Sequence, residues 1–311
     1  MEASGHTDLT VTDPLDGARL DKAAVALAEG KLSRAKVKKA IDAGEVRVNG
    51  RRRPKGSLVA KGDVITIEAE LDADDSAVPE PGAPLVVRYE SSAVVVVDKP
   101  AGQPTAPLRA GEKGTLANAL IARYPELAGV GYSPREPGLL HRLDTDTSGL
   151  VVVARSAEVF EELKEALKDG RIAKQYLLVC ASDGLADEGS IAFPLASHPK
   201  DQRRVLACVH PRDVMRNAPR PAETKFHVVK RSGEWALVEV DVSKALRHQI
   251  RAHFAAIEHP LVGDALYGGP KVEGLARHAL HASRVAFKGG PELSFDVRST
   301  LPEELARLVS P

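Results

Sequence analysis

The sequence predicts an α+β protein of two folded parts, a small mixed module followed by a larger, strand-rich domain. Three observations predict this. The 311 residues are enough for two hydrophobic cores. Short apolar runs of strand length alternate with helical stripes instead of repeating one period. A polar segment carrying Pro79, Pro81, Gly82 and Pro84 interrupts both patterns, as a semi-rigid linker would. Apolar residues at 43% and charged residues at 28% are ordinary for a packed domain, so neither wholesale disorder nor a membrane protein is indicated.

Residues 1–17 are small and acidic without a periodic apolar face, and are expected to form a flexible leader. They lack the basic start and apolar stretch of a signal peptide, so a cytoplasmic location is expected. Cys180 and Cys208 read as reduced thiols, too few for a metal set and without the context of a structural disulfide.

From Ala18 onward the pattern becomes regular. Leu20, Ala23, Ala24 and Leu27 recur at helical spacing, with Gly30 to end the helix. Ser33 can cap a second helix whose Val37, Ala40 and Ile41 face inward and which Gly44 closes. Val46–Val48 and Val64–Ile67 read as strands, Asn49-Gly50 as a tight hairpin turn, and Arg51-Arg52-Arg53 as its basic continuation. Arg34 and Lys38 lie four apart on one helical face, where they can meet phosphates.

Formal net charge is zero, which alone would argue against a polyanionic partner. Its distribution reverses that: residues 18–70 hold 13 Lys or Arg against 7 Asp or Glu, and residues 71–84 hold four acidic residues and no basic one. An isolated basic helix is more often only a solvated face. The order Arg19-Leu20-Asp21-Lys22, Ser33-Arg34, Ile41 through Gly50, then Gly62-Asp63-Val64-Ile65 nevertheless resembles the S4-type RNA-binding domain over its whole length. The domains are accordingly drawn as 18–70 for this module, 71–84 for the linker and 85–311 for the remainder.

In the remainder, Val94–Val97 and Leu150–Val153 read as buried strands. Ser156 caps a helix with an apolar stripe of Phe160, Leu163 and Leu167, ended by Gly170. A strand over 172–179 would place Tyr176, Leu178 and Cys180 on one face, with Leu177 and Val179 on the other. Residues 235–242 form a further strand, and Leu246, Ile250, Phe254 and Ile257 a helical stripe.

The most informative stretch is Leu139-Leu140-His141-Arg142-Leu143-Asp144-Thr145-Asp146-Thr147-Ser148-Gly149-Leu150, a polar loop between apolar runs. It offers a carboxylate beside a guanidinium, with hydroxyls and a glycine to shape a turn. A hydrogen-bonded turn ahead of a strand accounts for the same residues equally well. Asp144-Thr145-Asp146-Thr147 also spells the DxDxT nucleophile motif of haloacid dehalogenase phosphatases, which would imply Mg²⁺. That motif belongs directly after a buried strand, and His141 and Arg142 interrupt the approach here.

The wider pattern, His141-Arg142-Leu143-Asp144 followed after two residues by Thr147-Ser148-Gly149-Leu150, resembles the signature of the RluA/RluD-type pseudouridine synthases. Asp98 through Gly102, Lys174-Gln175-Tyr176, His248 through His253 and His259 through Gly268 follow in that family's order. The resemblance implies a mixed, mainly antiparallel catalytic sheet, no cofactor, and a structured RNA partner, foremost 23S-type large-subunit ribosomal RNA, with transfer RNA second. It implies an extruded uridine whose glycosidic bond is broken and remade at carbon 5. Asp144 would be the catalytic carboxylate, Tyr176 would pack against the target base, and Arg142 would fill the space the base leaves. His141 and Arg251 are expected to contact RNA, together with Arg34, Lys38, Arg51 and Arg52 in the first module. The chain is expected to act as a monomer away from membranes.

One departure qualifies this. The family's Gly-Arg-Thr or Gly-Arg-Ser before His-Gln-Ile-Arg is here Ala245-Leu246-Arg247, so the arginine that pairs with the catalytic carboxylate aligns with Leu246. Arg247 is the expected replacement, with Lys244 and Arg251 as weaker ones, although one residue turns a helical side chain about 100° away. The same departure motivates an alternative, an RNA-binding protein that has lost catalysis. His248, His253 and His259 have no convincing fourth ligand at these spacings, so no metal site is expected.

Overall fold

The computed structural model describes residues 6–28, 34–68, 76–290 and 292–310, with only the backbone for residues 34–36. The chain divides into two compact units, Met1–Ser76 and Ala77–Pro311.

In the first unit, β1 (Thr7–Thr10) precedes a helical pair, α1 (Leu20–Leu27) and α2 (Arg34–Ala43), and the chain continues through β2 (Val46–Val48), β3 (Arg51–Arg52) and β4 (Val64–Ile67). The antiparallel sheet runs β1-β4-β2-β3. Leu20, Ala23, Ala24, Val37, Ala40 and Ile41 close over Val46, Val48, Ile65 and Ile67, so the helical spacing of these residues marks the face that meets the sheet. Asn49 and Gly50 both take positive φ, 50° and 75°, the geometry of a tight hairpin turn. The Asn49 side chain adds a tie, its Oδ1 accepting from Val64 N at 2.8 Å and its Nδ2 donating to Asp63 at 2.7 Å.

Two expectations are corrected here. Residues 7–15 are not a loose leader: β1 pairs with β4 from Thr7 opposite Ile67 to Thr10 opposite Val64, and Val11 is buried. A four-residue strand with alternating exposure is too short to show periodicity in sequence. Residues 77–84, drawn as linker, are docked on the larger unit. Ala77 is buried and donates to Pro134 O at 3.0 Å, and Glu80 accepts from Gly114 N at 2.8 Å. Residues 71–75, the predicted helix end at Gly30 and the predicted cap Ser33 lie outside the described residues.

The larger unit is built in the order β5 (Val86–Glu90), β6 (Val94–Lys99), α3 (Leu116–Arg123), β7 (Ser148–Ala154), α4 (Ala157–Lys168), β8 (Ala173–Ala181), β9 (Glu188–Ile191), β10 (Leu195–Ser197), β11 (Val205–Ala207), α5 (Pro211–Asn217), β12 (Thr224–Ser232), β13 (Trp235–Asp241), α6 (Gln249–Ala256), β14 (Leu280–Phe287), β15 (Phe295–Arg298) and α7 (Glu303–Ala306). Its main sheet runs β5-β6-β7-β14-β8-β13-β12-β9, with β15 beside β14, while β10 and β11 form a separate hairpin. Every main-sheet pairing is antiparallel except β7 with β14.

Both faces of the sheet are covered. Val95, Val97, Val151 and Val153 face Leu116 and Leu120 of α3. Their neighbours Val94, Val96, Leu150 and Val152 face Phe160 and Leu163 of α4. This explains why β6 reads as an unbroken apolar run: all four valines are 0% exposed. Ser156 Oγ caps α4 by accepting from Val159 N at 3.3 Å, and Gly170 at φ 77° ends it. Burying Phe160 and Leu163 contributes roughly 1.5–3 kcal/mol each.

The parallel contact of β7 with β14 is only two pairs long, Ser148 with His281 and Gly149 with Ala282, after which β14 turns to pair with β15. Gly149 is required there. Its φ is 115°, and a Cβ would lie 2.3 Å from Ala282 O. The HRLD loop enters the sheet at this narrow junction.

Candidate active site

The loop before β7 is fastened from several elements. Thr105 Oγ1 donates to Leu143 O at 2.7 Å and accepts from Leu143 N at 3.1 Å. Thr147 N returns to Asp144 O at 3.0 Å, so these residues do form the turn their composition favours. Lys99, 0% exposed, gives its ammonium to the carbonyls of Pro100, Gln103 and Thr145 at 2.7–2.9 Å. Burial pushes its pKa down to about 8.

Below the turn runs a chain of directional hydrogen bonds. Arg277 donates to Ser148 Oγ at 3.2 Å, and Ser148 meets His281 Nδ1 at 2.9 Å. His281 Nε2 meets Ser299 Oγ at 3.1 Å, and Ser299 donates to Asp98 at 2.6 Å. The Asp98 carboxylate can only accept, so Ser299 spends its proton on it and accepts from His281 Nε2–H, while a neutral ring takes the Ser148 proton at Nδ1. Burial agrees, lowering the pKa of His281, and of His278 on Thr147 Oγ1 at 2.7 Å, to about 4. No motif in the sequence signalled His278, His281 or Arg277.

Asp144 lies at the side of a cleft of about 1290 Å³, its side chain 25% exposed. Arg251 Nη1 donates to Asp144 Oδ2 at 2.8 Å, and His248 Nε2 is 3.6 Å from the same oxygen. The other edge of the Arg251 guanidinium grips Asp264, 1% exposed, through two bonds of 2.7 and 2.9 Å, and its face lies 5.2 Å from the Tyr267 ring centroid. Burial opposes the charge on Arg251, but the bonds and attraction of Asp264 and Asp144 outweigh it and push its pKa up. His248 is shifted down by burial, more than Asp144 offsets.

This corrects the expected partner. Arg247 lies ahead of α6, is exposed, and donates to Gln202 O at 2.6 Å. The backbone is irregular, as His248 has φ 53° and α6 begins only at Gln249. That irregularity does not bring Arg247 to Asp144; Arg251, four residues on, takes the place. Leu246 packs instead in a small cluster with Leu195, Ala252 and Tyr267. Arg251 is likewise corrected as an RNA contact, because it is 6% exposed and bonded on both edges to carboxylates. Asp264 and Tyr267 belong to the His259–Gly268 motif, which was their signal in the sequence.

Tyr176 projects from β8 into the cleft and is buried; burial first, then Asp144, pushes its phenol pKa up, so the ring stays neutral. Leu178 and Cys180 share its face, as the alternation predicts. Arg142 stands at the mouth with its side chain 64% exposed, paired with Glu136 at 2.9 Å. His141 departs from its expected role as an RNA contact. Its Nε2 accepts from Val152 N at 3.2 Å, and burial lowers its pKa to about 3, which makes it a neutral brace for β7.

In the first unit Lys38, Arg51 and Arg52 are exposed, with the Arg52 guanidinium lying over Gly44. The Arg34 side chain lies outside the described residues. His253 is fully buried between Thr224 Oγ1 and Phe193 O, both at 2.8 Å. Among the described residues no group of three or more His, Cys, Asp or Glu is placed to hold a metal ion, and no helix is long and apolar enough to cross a membrane.

A family model described as RNA pseudouridylate synthase matches residues 93–256, and an S4 domain model matches residues 18–65. The ribosomal large subunit pseudouridine synthase D of Xylella fastidiosa (strain Temecula1 / ATCC 700964) is 34% identical over 316 residues, spanning 97% of this chain and 91% of that protein. The RNA pseudouridine synthase YlyB of Bacillus subtilis (strain 168), called uncharacterized, is 32% identical and spans 97% and 96%. Human RNA pseudouridylate synthase domain containing 1 shares the fold with a TM-score of 0.55 at 24% identity, over 71% of this chain and 86% of that structure. With an S4 RNA-binding domain ahead of a mixed, mainly antiparallel α+β domain, the chain belongs to the RluA/RluD-type family of RNA pseudouridine synthases.

Proposed function

We propose that this pseudouridine synthase isomerises specific uridines of large-subunit ribosomal RNA in the cytoplasm, as a monomer, with Asp144 as its catalytic carboxylate. The observation that carries the assignment of Asp144 is its pairing with Arg251 across the cleft, at 2.8 Å, in a loop held from several elements. Relatives named for the ribosomal large subunit, 31–34% identical over almost the whole chain, support the substrate class.

Asp144 would either attack the ribose or take one of its protons; both roles use the carboxylate form, with which Arg251 is paired. Tyr176 offers a neutral ring face to the extruded base. Extrusion costs a few kcal/mol of stacking, and Arg142, planar and exposed at the mouth, is placed to offset part of it by entering the vacated space. Lys38, Arg51 and Arg52 supply exposed charge for phosphates.

Asp144→Asn should lower uridine isomerisation by about 100- to 10,000-fold while RNA binding persists. Wild-type turnover in that variant would remove Asp144 from the mechanism. Chemical mapping of pseudouridine in ribosomal and transfer RNA, from cells with and without the gene, tests the substrate. A missing site in large-subunit RNA is expected. A site lost only from transfer RNA would move the substrate there, and no lost site would favour a binding-only protein, the reading that Leu246 motivated and the Arg251 pair disfavours.

A further inference from the structure

Lys174 is a buried cation without a role in the chemistry of Asp144 and Arg251. It sits on β8 two residues before Tyr176, so both side chains leave the same face of the strand and line the same cleft. It is 4% exposed, and among the described residues its ammonium has no hydrogen-bond or ion-pair partner, although Lys99 is satisfied by three carbonyls. The neighbouring imidazole that feels its charge, His141, is itself neutral. Nothing but burial acts on the Lys174 pKa, lowering it to about 8, so the amine is still mostly charged at neutral pH.

An ammonium this little exposed and without a partner among the described residues is costly and is ordinarily neutralised or matched by an anion. The cleft supplies cations of another kind for phosphates: Arg142, Lys244 and Arg247 are exposed around it, where a phosphodiester keeps its hydration. Lys174 lies deeper, where the lining is Leu143, Tyr176, Ile250 and Leu280, a setting for a flat heterocycle.

Resting on the roles proposed for Asp144 and Tyr176, we propose that Lys174 contacts the extruded uracil and stabilises the negative charge the base carries once its glycosidic bond is broken. When C1′–N1 breaks, the bonding pair leaves with the base, and the charge spreads over N1, O2 and O4. When C5 bonds to C1′ the pair returns to the sugar, C5 releases its proton, and N1 ends with one. Lys174 keeps its proton throughout. A neutral uracil gains little from the ammonium and the departing anion gains much, so the interaction favours the transition state over the bound substrate.

The test is Lys174→Met, with Lys174→Gln as a second neutral variant, assayed by tritium release from RNA transcribed with 5-tritiated uridine. The transcript is large-subunit ribosomal RNA, or transfer RNA if the wild type modifies that instead. The expected result is a single-turnover rate lowered by about 100-fold, an RNA dissociation constant within about threefold, and an unchanged salt dependence of binding. Thermal melting should show no loss of stability, because each variant removes an unpaired buried charge. A normal rate with weakened binding and a shallower salt slope would assign Lys174 to a phosphate and overturn the proposal. Normal rate and normal binding would overturn it as well. A wild-type enzyme that releases no tritium from either RNA would instead refute the substrate assignment on which the proposal rests.

Discussion

Replacing Arg251 by Met separates the arrangement observed from the one the sequence motif predicts. The substitution keeps length and apolar volume while removing three bonds, one to Asp144 and two to Asp264. Asp264 then carries the larger cost. It is 1% exposed, and the remaining described hydrogen bond to its carboxylate comes from Tyr267 N at 3.3 Å, so an uncompensated carboxylate is left in the interior. Breaking a buried pair from one side costs about 3–5 kcal/mol. For a unit of this size that corresponds to a fall in melting temperature of roughly 6–20 °C. Asp144, 25% exposed, can be rehydrated, so the broken pair at Asp144 should appear in turnover more than in stability. Calorimetry with single-turnover kinetics reads both, and Arg251→Met combined with Asp264→Leu should recover much of the melting temperature but none of the rate. Arg247→Ala, by contrast, should weaken RNA binding and leave the rate at saturating RNA near wild type. If Arg251→Met melts with the wild type and turns over normally while Arg247→Ala is inactive, Arg251 is not the partner of the carboxylate proposed to act.

Acid should destabilise the larger unit in a defined window. His278 and His281 have folded pKa values lowered to about 4 from 6.5, so between those values the unfolded chain binds more protons and stability falls as pH falls. Each contributes a slope of up to about 1.4 kcal/mol per pH unit, fully present as stability above pH 6.5; urea melts from pH 7 to 4 measure it, and a flat profile would contradict the neutral hydrogen-bond chain. Gly149→Ala should cost about 2 kcal/mol or more, because the backbone is in a glycine conformation and the new Cβ would meet Ala282 O; a variant melting like the wild type would show that β7 and β14 can separate cheaply. Lys38→Ala with Arg51→Ala should make the salt dependence of RNA binding shallower, the slope falling by about one for each phosphate left unneutralised, as titrations at several salt concentrations would measure. An unchanged slope would remove the first unit's exposed cations from the interface.

Much of this protein is legible without coordinates because the relevant physics is local. Helical spacing at Leu20–Ile41, strand alternation around Tyr176, the Asn49-Gly50 turn and the Ser156 cap each depend on residues a few positions apart. The polar HRLD loop between apolar runs is visible for the same reason. What cannot be read are relations between residues far apart in sequence. Asp144 and Arg251 are separated by 107 positions, and which guanidinium reaches the carboxylate depends on where α6 begins, which the left-handed turn at His248 decides. A motif aligned residue by residue points to Leu246 and its neighbour, whereas the packed helix presents Arg251. His141 and Lys174 show the same limit, since charge in a sequence is formal. Only tertiary burial makes one histidine a neutral brace and leaves one lysine an unmatched cation beside Tyr176 in the cleft. Sequence by itself determined the family, most of the elements and the polar loop that carries Asp144; the tertiary structure decided what surrounds that carboxylate, because pairing and desolvation exist only once distant segments are packed together.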